Sequence, residues 1–331
     1  MRHPAAARLS LAALSGLAVL LSACGAPAAT APSSSSGSGT IDVVASTSVY
    51  GDIAKSIGGD KVAVTSIIKN TNQDPHSYEV STQDKLAVSK ARVVIDNGAG
   101  YDDFFAKLAE DAKVPAGSVI TAVDASGLLP GATTGATPAK VPEGFNEHVW
   151  YNFGAMGKVA DAIAAKLGSL DPADNATFKA NADKFKASLS GLDMKLAQIK
   201  SSKGAQPVAI TEPVPGYLLE AAGLENKTPD EFSHAIEEGT DVPPAAVKET
   251  SDLITSKSVR FLAYNEQTAG TETEKLKAAA TSAGIPVVGF TETLPEGKDY
   301  ISWMRENVDN VASALNHQGL WITKDTDQQG H

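Results

Sequence analysis

Two histidines and two glutamates carry most of the chemistry open to this chain. His76 lies in Gln73-Asp74-Pro75-His76-Ser77-Tyr78-Glu79, a polar run in which a proline holds the backbone just ahead of the imidazole. His148 lies in Asn146-Glu147-His148-Val149-Trp150-Tyr151-Asn152, whose aromatics can wall an imidazole off from water and limit its rotamers. Glu212 follows Val208-Ala209-Ile210-Thr211, and Glu292 follows Val287-Val288-Gly289-Phe290-Thr291. Both acids thus stand at the C-terminal end of an apolar run, the edge at which open α/β sheets bind ligands. Taken singly, each imidazole fits a structural role better, and each carboxylate a solvated or helix-capping one. Brought together in one crevice, two imidazoles and two carboxylates make a nitrogen and oxygen set suited to Zn2+ or Mn2+ rather than Cu(I). Imidazole donates a lone pair only when neutral, so such binding is expected to weaken as pH falls through about 6.5.

The other histidines offer less. The chain has six: His3 falls in the leader, His317 and His331 in the polar C-terminal tail, and His234 in Glu231-Phe232-Ser233-His234-Ala235-Ile236-Glu237-Glu238. His234 is the sharpest competitor for a ligand role, but its acidic, helix-like setting reads as a surface. Tyr264-Asn265-Glu266-Gln267 follows another β-like run and is expected behind the ligands or between the two halves. The sequence does not decide whether Asn265 or Glu266 faces the site.

These residues need a scaffold. Short β-rich runs at 41–45, 62–64, 93–95 and 119–120 alternate with helix-like stretches at 50–57, 84–90 and 102–112. The pattern returns in runs at 208–210, 260–264 and 286–290, with helices expected at 244–255, 273–283 and 300–315. Alternation of this kind predicts parallel sheets covered by helices. Between the halves, Met156, Val159, Ile163 and Leu167 mark a helix that Gly168 is placed to stop. Phe178, Phe185, Leu189, Leu192, Leu196 and Ile199 mark a second, over 173–200, long enough to lie across both halves and restrict hinge bending. The fold expected is α/β, with two lobes each built on a mostly parallel sheet flanked by helices and joined by a long backbone helix. Its ranges are 41–155 for the N-terminal lobe, 156–204 for the linking helices, 205–321 for the C-terminal lobe and 322–331 for a polar tail.

Composition rules out a disordered, collagenous or polytopic membrane protein, since 42% of the chain is hydrophobic and 20% charged. Residues 9–23 are uncharged and apolar, follow Arg2 and Arg8, and are too short to span a bilayer comfortably. They lead into Leu21-Ser22-Ala23-Cys24, which resembles a bacterial lipobox. Residues 1–23 are therefore expected to be a lipoprotein signal peptide, Cys24, the one cysteine, the lipidated residue, and 24–40 a flexible tether. Without the leader's two arginines, 26 basic residues face 39 acids, a formal charge of −13. Such a surface argues against nucleic acid and anionic lipid as partners and fits a cationic ligand.

Four segments in combination carry a family resemblance. Asp74-Pro75-His76, Glu147-His148-Val149-Trp150, Thr211-Glu212-Pro213-Val214 with Tyr217-Leu218-Leu219-Glu220-Ala221-Ala222-Gly223-Leu224, and Thr291-Glu292-Thr293-Leu294-Pro295 occur in family order. With them the chain resembles the metal-binding receptors of bacterial ABC importers, the cluster A-I or family 9 solute-binding proteins for zinc and manganese. The resemblance implies a receptor, not an enzyme, that binds one Zn2+ or Mn2+ through His76, His148, Glu212 and Glu292. It implies delivery to an ABC permease with its cytoplasmic ATPase, by a monomer anchored by lipid on the extracytoplasmic face of the cell membrane. The chain departs from the family at Glu292, commonly aspartate, and in lacking the histidine at the third ligand position and the His-rich loop of many zinc members. Residues 129–141 form a Gly/Ala/Thr/Pro linker instead. These departures favour manganese without excluding zinc. Two other functions stand as alternatives: a secreted metal-dependent hydrolase using the same four residues, and a surface adhesin, which no sequence feature separates from transport. Against the hydrolase, the chain has no HExxH or GxSxG segment, and four protein ligands leave little room for a reacting water.

Overall fold

The computed structural model describes residues 39–129, 131 and 140–316. The leader, Cys24, nearly all of the tether, most of the 129–141 linker, the 322–331 tail and His3, His317 and His331 lie outside the described residues.

The first lobe runs β1 (Ile41–Thr47), α1 (Ser48–Gly58), β2 (Val62–Ile68), α2 (Thr82–Lys90), β3 (Val93–Asp96), α3 (Asp103–Asp111), β4 (Val119–Thr121) and α4 (Ala122–Ser126). Two long helices follow, α5 (Phe153–Leu170) and α6 (Asn175–Lys203). The second lobe runs β5 (Gln206–Ile210), α7 (Gly216–Ala221), β6 (Leu224–Asn226), α8 (Asp230–Glu237), α9 (Pro244–Thr255), β7 (Leu262–Asn265), α10 (Thr271–Ala283), β8 (Val287–Phe290) and α11 (Tyr300–Asn316). Each lobe holds a four-stranded sheet with every pairing parallel, in the orders β2-β1-β3-β4 and β6-β5-β7-β8. The strand order reverses between β1 and β3, and again between β5 and β7. The carboxyl ends of those strands flank a crevice, the place where such sheets take ligands. Glu212 lies two residues past β5, and Asn265 is the last residue of β7.

Parallel strands covered on both faces read as near-continuous apolar runs, and β3 and β7 are buried at every position, with polar Asp96 and Asn265 only at their carboxyl ends. The register in β1 is continuous from Ile41 opposite Val62 to Thr47 opposite Ile68. Asn152 caps α5 by accepting from the Ala155 amide at 2.9 Å. The helix does not stop at Gly168 but runs on to Leu170. Gly168 is instead a close-approach position, where an added Cβ would lie 2.1 Å from the Asn175 side chain at the start of α6. Along α6, a helix of 29 residues and roughly 43 Å, Phe178, Ala182, Phe185, Leu189, Leu192, Leu196 and Ile199 alternate spacings of four and three, which keeps one buried stripe on one face. That stripe meets α1 of the first lobe and α7 and α11 of the second. One apolar cluster therefore runs from Ile41 and Val93 through Met156, Leu192 and Trp303 to Phe290, with a smaller satellite core on the far side of each sheet. A shared core of this size holds the lobes together and opposes wide hinge opening. Among the described residues, no helix is long and apolar enough to cross a membrane.

Polar bridges align the carboxyl ends of the two sheets. Tyr151 donates to the Thr291 carbonyl at 2.7 Å and Tyr300 to the Trp150 carbonyl at 2.5 Å. Asp52 accepts from the Tyr300 amide at 2.8 Å, and the Leu294 amide donates to Ser48 Oγ at 3.1 Å.

Candidate metal centre

The first lobe contributes imidazoles held mainly by packing. His76 sits in a single 3-10 turn, Pro75–Ser77, entered through a buried proline. Asp74 closes the turn, taking the His76 amide on Oδ1 at 2.9 Å and the Ser77 hydroxyl on Oδ2 at 2.8 Å. The His76 side chain is exposed at the cleft, its ring edge-on to Tyr101 with centroids 5.2 Å apart. His148 is 1% exposed and stands edge-on to Trp150 and Tyr101 at 5.0 and 5.9 Å. Its Nδ1 lies 2.8 Å from Asn146 Oδ1, which also accepts the His148 amide at 3.0 Å. An acceptor on Nδ1 keeps the proton there and leaves the lone pair on Nε2. Burial, and then the neighbouring His76, hold His148 well below the usual histidine range, so it is neutral at physiological pH.

Tyr101, which both imidazoles touch, is set by the loop after β3. Gly98, Ala99 and Gly100 all adopt positive φ, and Asp102 takes the Asn97 and Gly98 amides at 2.7 and 2.9 Å. Asn97 in turn donates to the Glu147 carbonyl at 3.0 Å, tying that loop to the His148 segment.

The second lobe contributes carboxylates held by hydrogen bonds. Glu212 and Glu292 are 3% and 1% exposed. Asn265 Nδ2 reaches both, 3.0 Å from Glu212 Oε2 and 2.8 Å from Glu292 Oε1, while Thr268 donates to Glu212 Oε1. Of the two candidates in that run, Asn265 therefore faces the site, and Glu266 is exposed. Gln267 Oε1 accepts from the amides of Glu292 and Thr293 at 3.1 and 3.2 Å, and its Nε2 donates across to the Gln73 carbonyl at 2.8 Å. A further bridge between the lobes starts at Asn146, whose Nδ2 donates to the Pro213 carbonyl at 2.9 Å.

The two pairs face one cleft but do not form a single compact set. Among the described residues, the ligand atoms that lie within 4.8 Å of one another belong to His76, Glu147 and His148. Glu212 and Glu292 stand outside that set. Glu147 was not singled out from the sequence, although its place beside His148 was a usable signal. Glu237 on α8 was missed as well: its side chain is 6% exposed, and Oε1 lies 3.7 Å from His148 Nδ1. His234, three residues earlier on α8, is exposed and lines the cleft with Glu237, Glu147 and His76.

Four carboxyl groups share this space, and burial is the first cause of the raised pKa of each. Glu147 and Glu212 are pushed up to about 7, Glu292 to about 8 and Glu237 to about 9. The charges acting on them are those of other acids: Glu238 on Glu147, Asp74 on Glu212, Glu212 on Glu292, and Glu147 on Glu237. Asn265 and Thr268 oppose the shift at Glu212 only in part. The neutral His148 beside buried, mutually repelling acids forms a site that a divalent cation would relieve.

The family model for the zinc-uptake complex component A, periplasmic, matches residues 43–314. The manganese ABC transporter substrate-binding lipoprotein of Streptococcus gordonii is 28% identical over 315 residues, covering 89% of this chain and 94% of its own. The iron ABC transporter substrate-binding lipoprotein of Streptococcus pyogenes serotype M1 is 27% identical over 299 residues, covering 83% and 89%. Among solved structures, the fold is shared with the SBP FpvC from Pseudomonas aeruginosa in complex with Mn2+, at a TM-score of 0.68 and 24% identity over 85% of this chain and 100% of that one. It is shared also with ZnuA, at a TM-score of 0.65 and 20% identity over 83% and 99%. Matched over most of its length, the chain belongs to the family of the periplasmic component A of zinc-uptake complexes.

Proposed function

We propose that the protein captures one divalent transition metal, Zn2+ or Mn2+, on the extracytoplasmic side of the cell membrane and delivers it to an ABC permease driven by its ATPase. The observation that carries this reading is the pair of buried glutamates, Glu212 and Glu292, joined by one amide, with Tyr101 beside Glu292 packed on both imidazoles. His76, His148, Glu212 and Glu292 are the proposed ligands, supplied by lobes at 41–155 and 205–321 with the helices of 156–204 between them. The ion is cargo, so binding and release complete the cycle without a chemical step. In this reading the mature chain is a monomer tethered by lipid at Cys24. Oxygen-rich ligation with no third histidine favours Mn2+ over Zn2+. The test is elemental analysis of untagged protein, followed by titration of the stripped protein with Mn2+ and Zn2+. One ion per chain is expected; protein that neither retains nor rebinds either ion would end the reading.

A further inference from the structure

We propose that the cleft holds its ion in two successive positions, an outer one made by His76, Glu147 and His148 with Glu237, and an inner one in which Glu212 and Glu292 replace the two outer carboxylates. The proposal rests on the metal-receptor reading above and adds two ligands and a path to it.

The outer position is the compact one in this structure, with ligand atoms of His76, Glu147 and His148 within 4.8 Å of one another. Glu237 adds a second, independent observation. Its side chain is 94% buried, lines the same cleft, and leaves Oε1 without a hydrogen-bond partner. The neighbouring His148 Nδ1 does not satisfy it, because that proton points to Asn146 Oδ1 at 2.8 Å. A buried carboxylate oxygen with no donor is unfavourable by itself and is relieved by a cation. Two imidazoles and two carboxylates form a suitable shell for a divalent ion of the Zn2+ or Mn2+ class.

The inner pair is differently prepared. Both oxygens of Glu212 already accept hydrogen bonds, from Thr268 and Asn265, and Glu292 accepts one on Oε1. Glu292 Oε2 is buried, with the Tyr101 hydroxyl as its nearby polar neighbour and no well-formed hydrogen bond. An ion entering the cleft of about 780 Å³ meets the exposed His76 and the outer acids before it meets these two. Transfer inward then keeps both imidazoles and exchanges Glu147 and Glu237 for Glu212 and Glu292, with the number of ligands unchanged. The outer acids set the capture rate, and the inner acids set retention.

The experiment is stopped-flow binding of Zn2+ and of Mn2+ to the full stripped chain, with dissociation followed by chelator competition. Glutamine preserves side-chain shape, so the outer pair is tested as Glu147→Gln with Glu237→Gln and the inner pair as Glu212→Gln with Glu292→Gln. The outer double variant should lose about tenfold or more in association rate, because the arriving ion loses the first two carboxyl ligands it meets, while its dissociation rate stays close to wild type. The inner double variant should still bind one ion, with imidazole scattering in X-ray absorption, but release it at least about 100-fold faster. A wild-type association rate in the outer variant, or an inner variant that binds no ion, would overturn the two-position scheme while the receptor reading stands. Failure of the wild-type chain to bind either ion would instead remove the receptor reading itself.

Discussion

On the first lobe's side of the cleft, His148 is fixed by shape: Tyr101 and Trp150 stand edge-on to its ring and Asn146 fixes its tautomer, while His76 stays exposed on a capped turn. On the second lobe's side, Glu212 and Glu292 are fixed by donors, with Asn265 shared between them and Thr268 and Gln267 behind. The difference follows from the groups. A neutral imidazole tolerates an apolar wall, whereas a buried carboxylate needs hydrogen-bond donors at its oxygens. The donors here satisfy most of those oxygens without offsetting the burial, so Glu292 stays pushed up to about 8 while His148 stays neutral. The unrelieved cost of ionisation therefore lies on the carboxylate side, and that side responds most to an ion.

The largest effects should come from the ligands, with opposite consequences for the empty fold. Zinc binding of about 10–16 kcal/mol spread over four ligands gives each roughly 100- to 1,000-fold in affinity. His148→Ala and Glu292→Gln should each lose that much in isothermal titration. Without metal, however, His148→Ala leaves a cavity between Tyr101 and Trp150 and should lower the melting temperature. Glu292→Gln removes a buried carboxylate and should raise it at pH 8. Equal shifts of the same sign would dissolve the contrast between the two sides.

Protonation comes next. Glu212, Glu292 and Glu237 have folded values of about 7, 8 and 9 against an ordinary value of 4.5. The folded metal-free protein then holds more protons than the unfolded chain between about pH 5 and 9, so its stability falls as pH rises through that window. Metal displaces those protons, and the alkaline loss should shrink in the loaded protein. Because His148 is neutral already, the affinity should drop as pH falls from 8 to 6 through the carboxyl groups rather than through His148, by about tenfold per unit for each proton displaced. Titrations in buffers of different ionisation enthalpy should show proton release at pH 7. A flat affinity from pH 8 to 6 with no release would place the ion away from the glutamates.

What the sequence made legible was whatever depends on local pattern. The apolar runs at 41–45 and 286–290 and the four-three stripe from Phe178 to Ile199 have no other good use than strand and helix. β6 was missed because Leu224-Glu225-Asn226 carries one buried residue and becomes a strand through pairing with β5. α2 begins two residues earlier than apolar periodicity implied, because Ser81 and Asp84 form a reciprocal cap. At the proposed site, Glu212 and Glu292 were singled out by their places after strands and the two histidines by their stiff surroundings, and only the family resemblance joined the four into one ligand set. Glu237 looked like one more acid on a solvated helix, and only the packing of α8 over His148 makes it buried. Asn265 could not be told from Glu266, since a single residue of phase at the end of β7 decides which of them turns inward.

Gln267 offers the smallest test and the one that sharpens the comparison most, since it belongs to both sides. Its Oε1 holds the backbone of Glu292 and Thr293, and its Nε2 holds the Gln73 carbonyl, three residues before His76. Gln267→Ala frees both loops and should speed metal release about tenfold, the lower end of what loss of a supporting partner does. Gln267→Glu keeps the acceptor for the Glu292 amide and loses the donor to Gln73. If the carboxylate side alone sets retention, the glutamate variant should release metal at nearly the wild-type rate. If the His76 turn must also be held, it should release metal as fast as the alanine variant. The second outcome is expected, because His76 is the exposed one of the proposed ligands and the Gln73 bridge is a direct hydrogen bond from the second lobe to its loop.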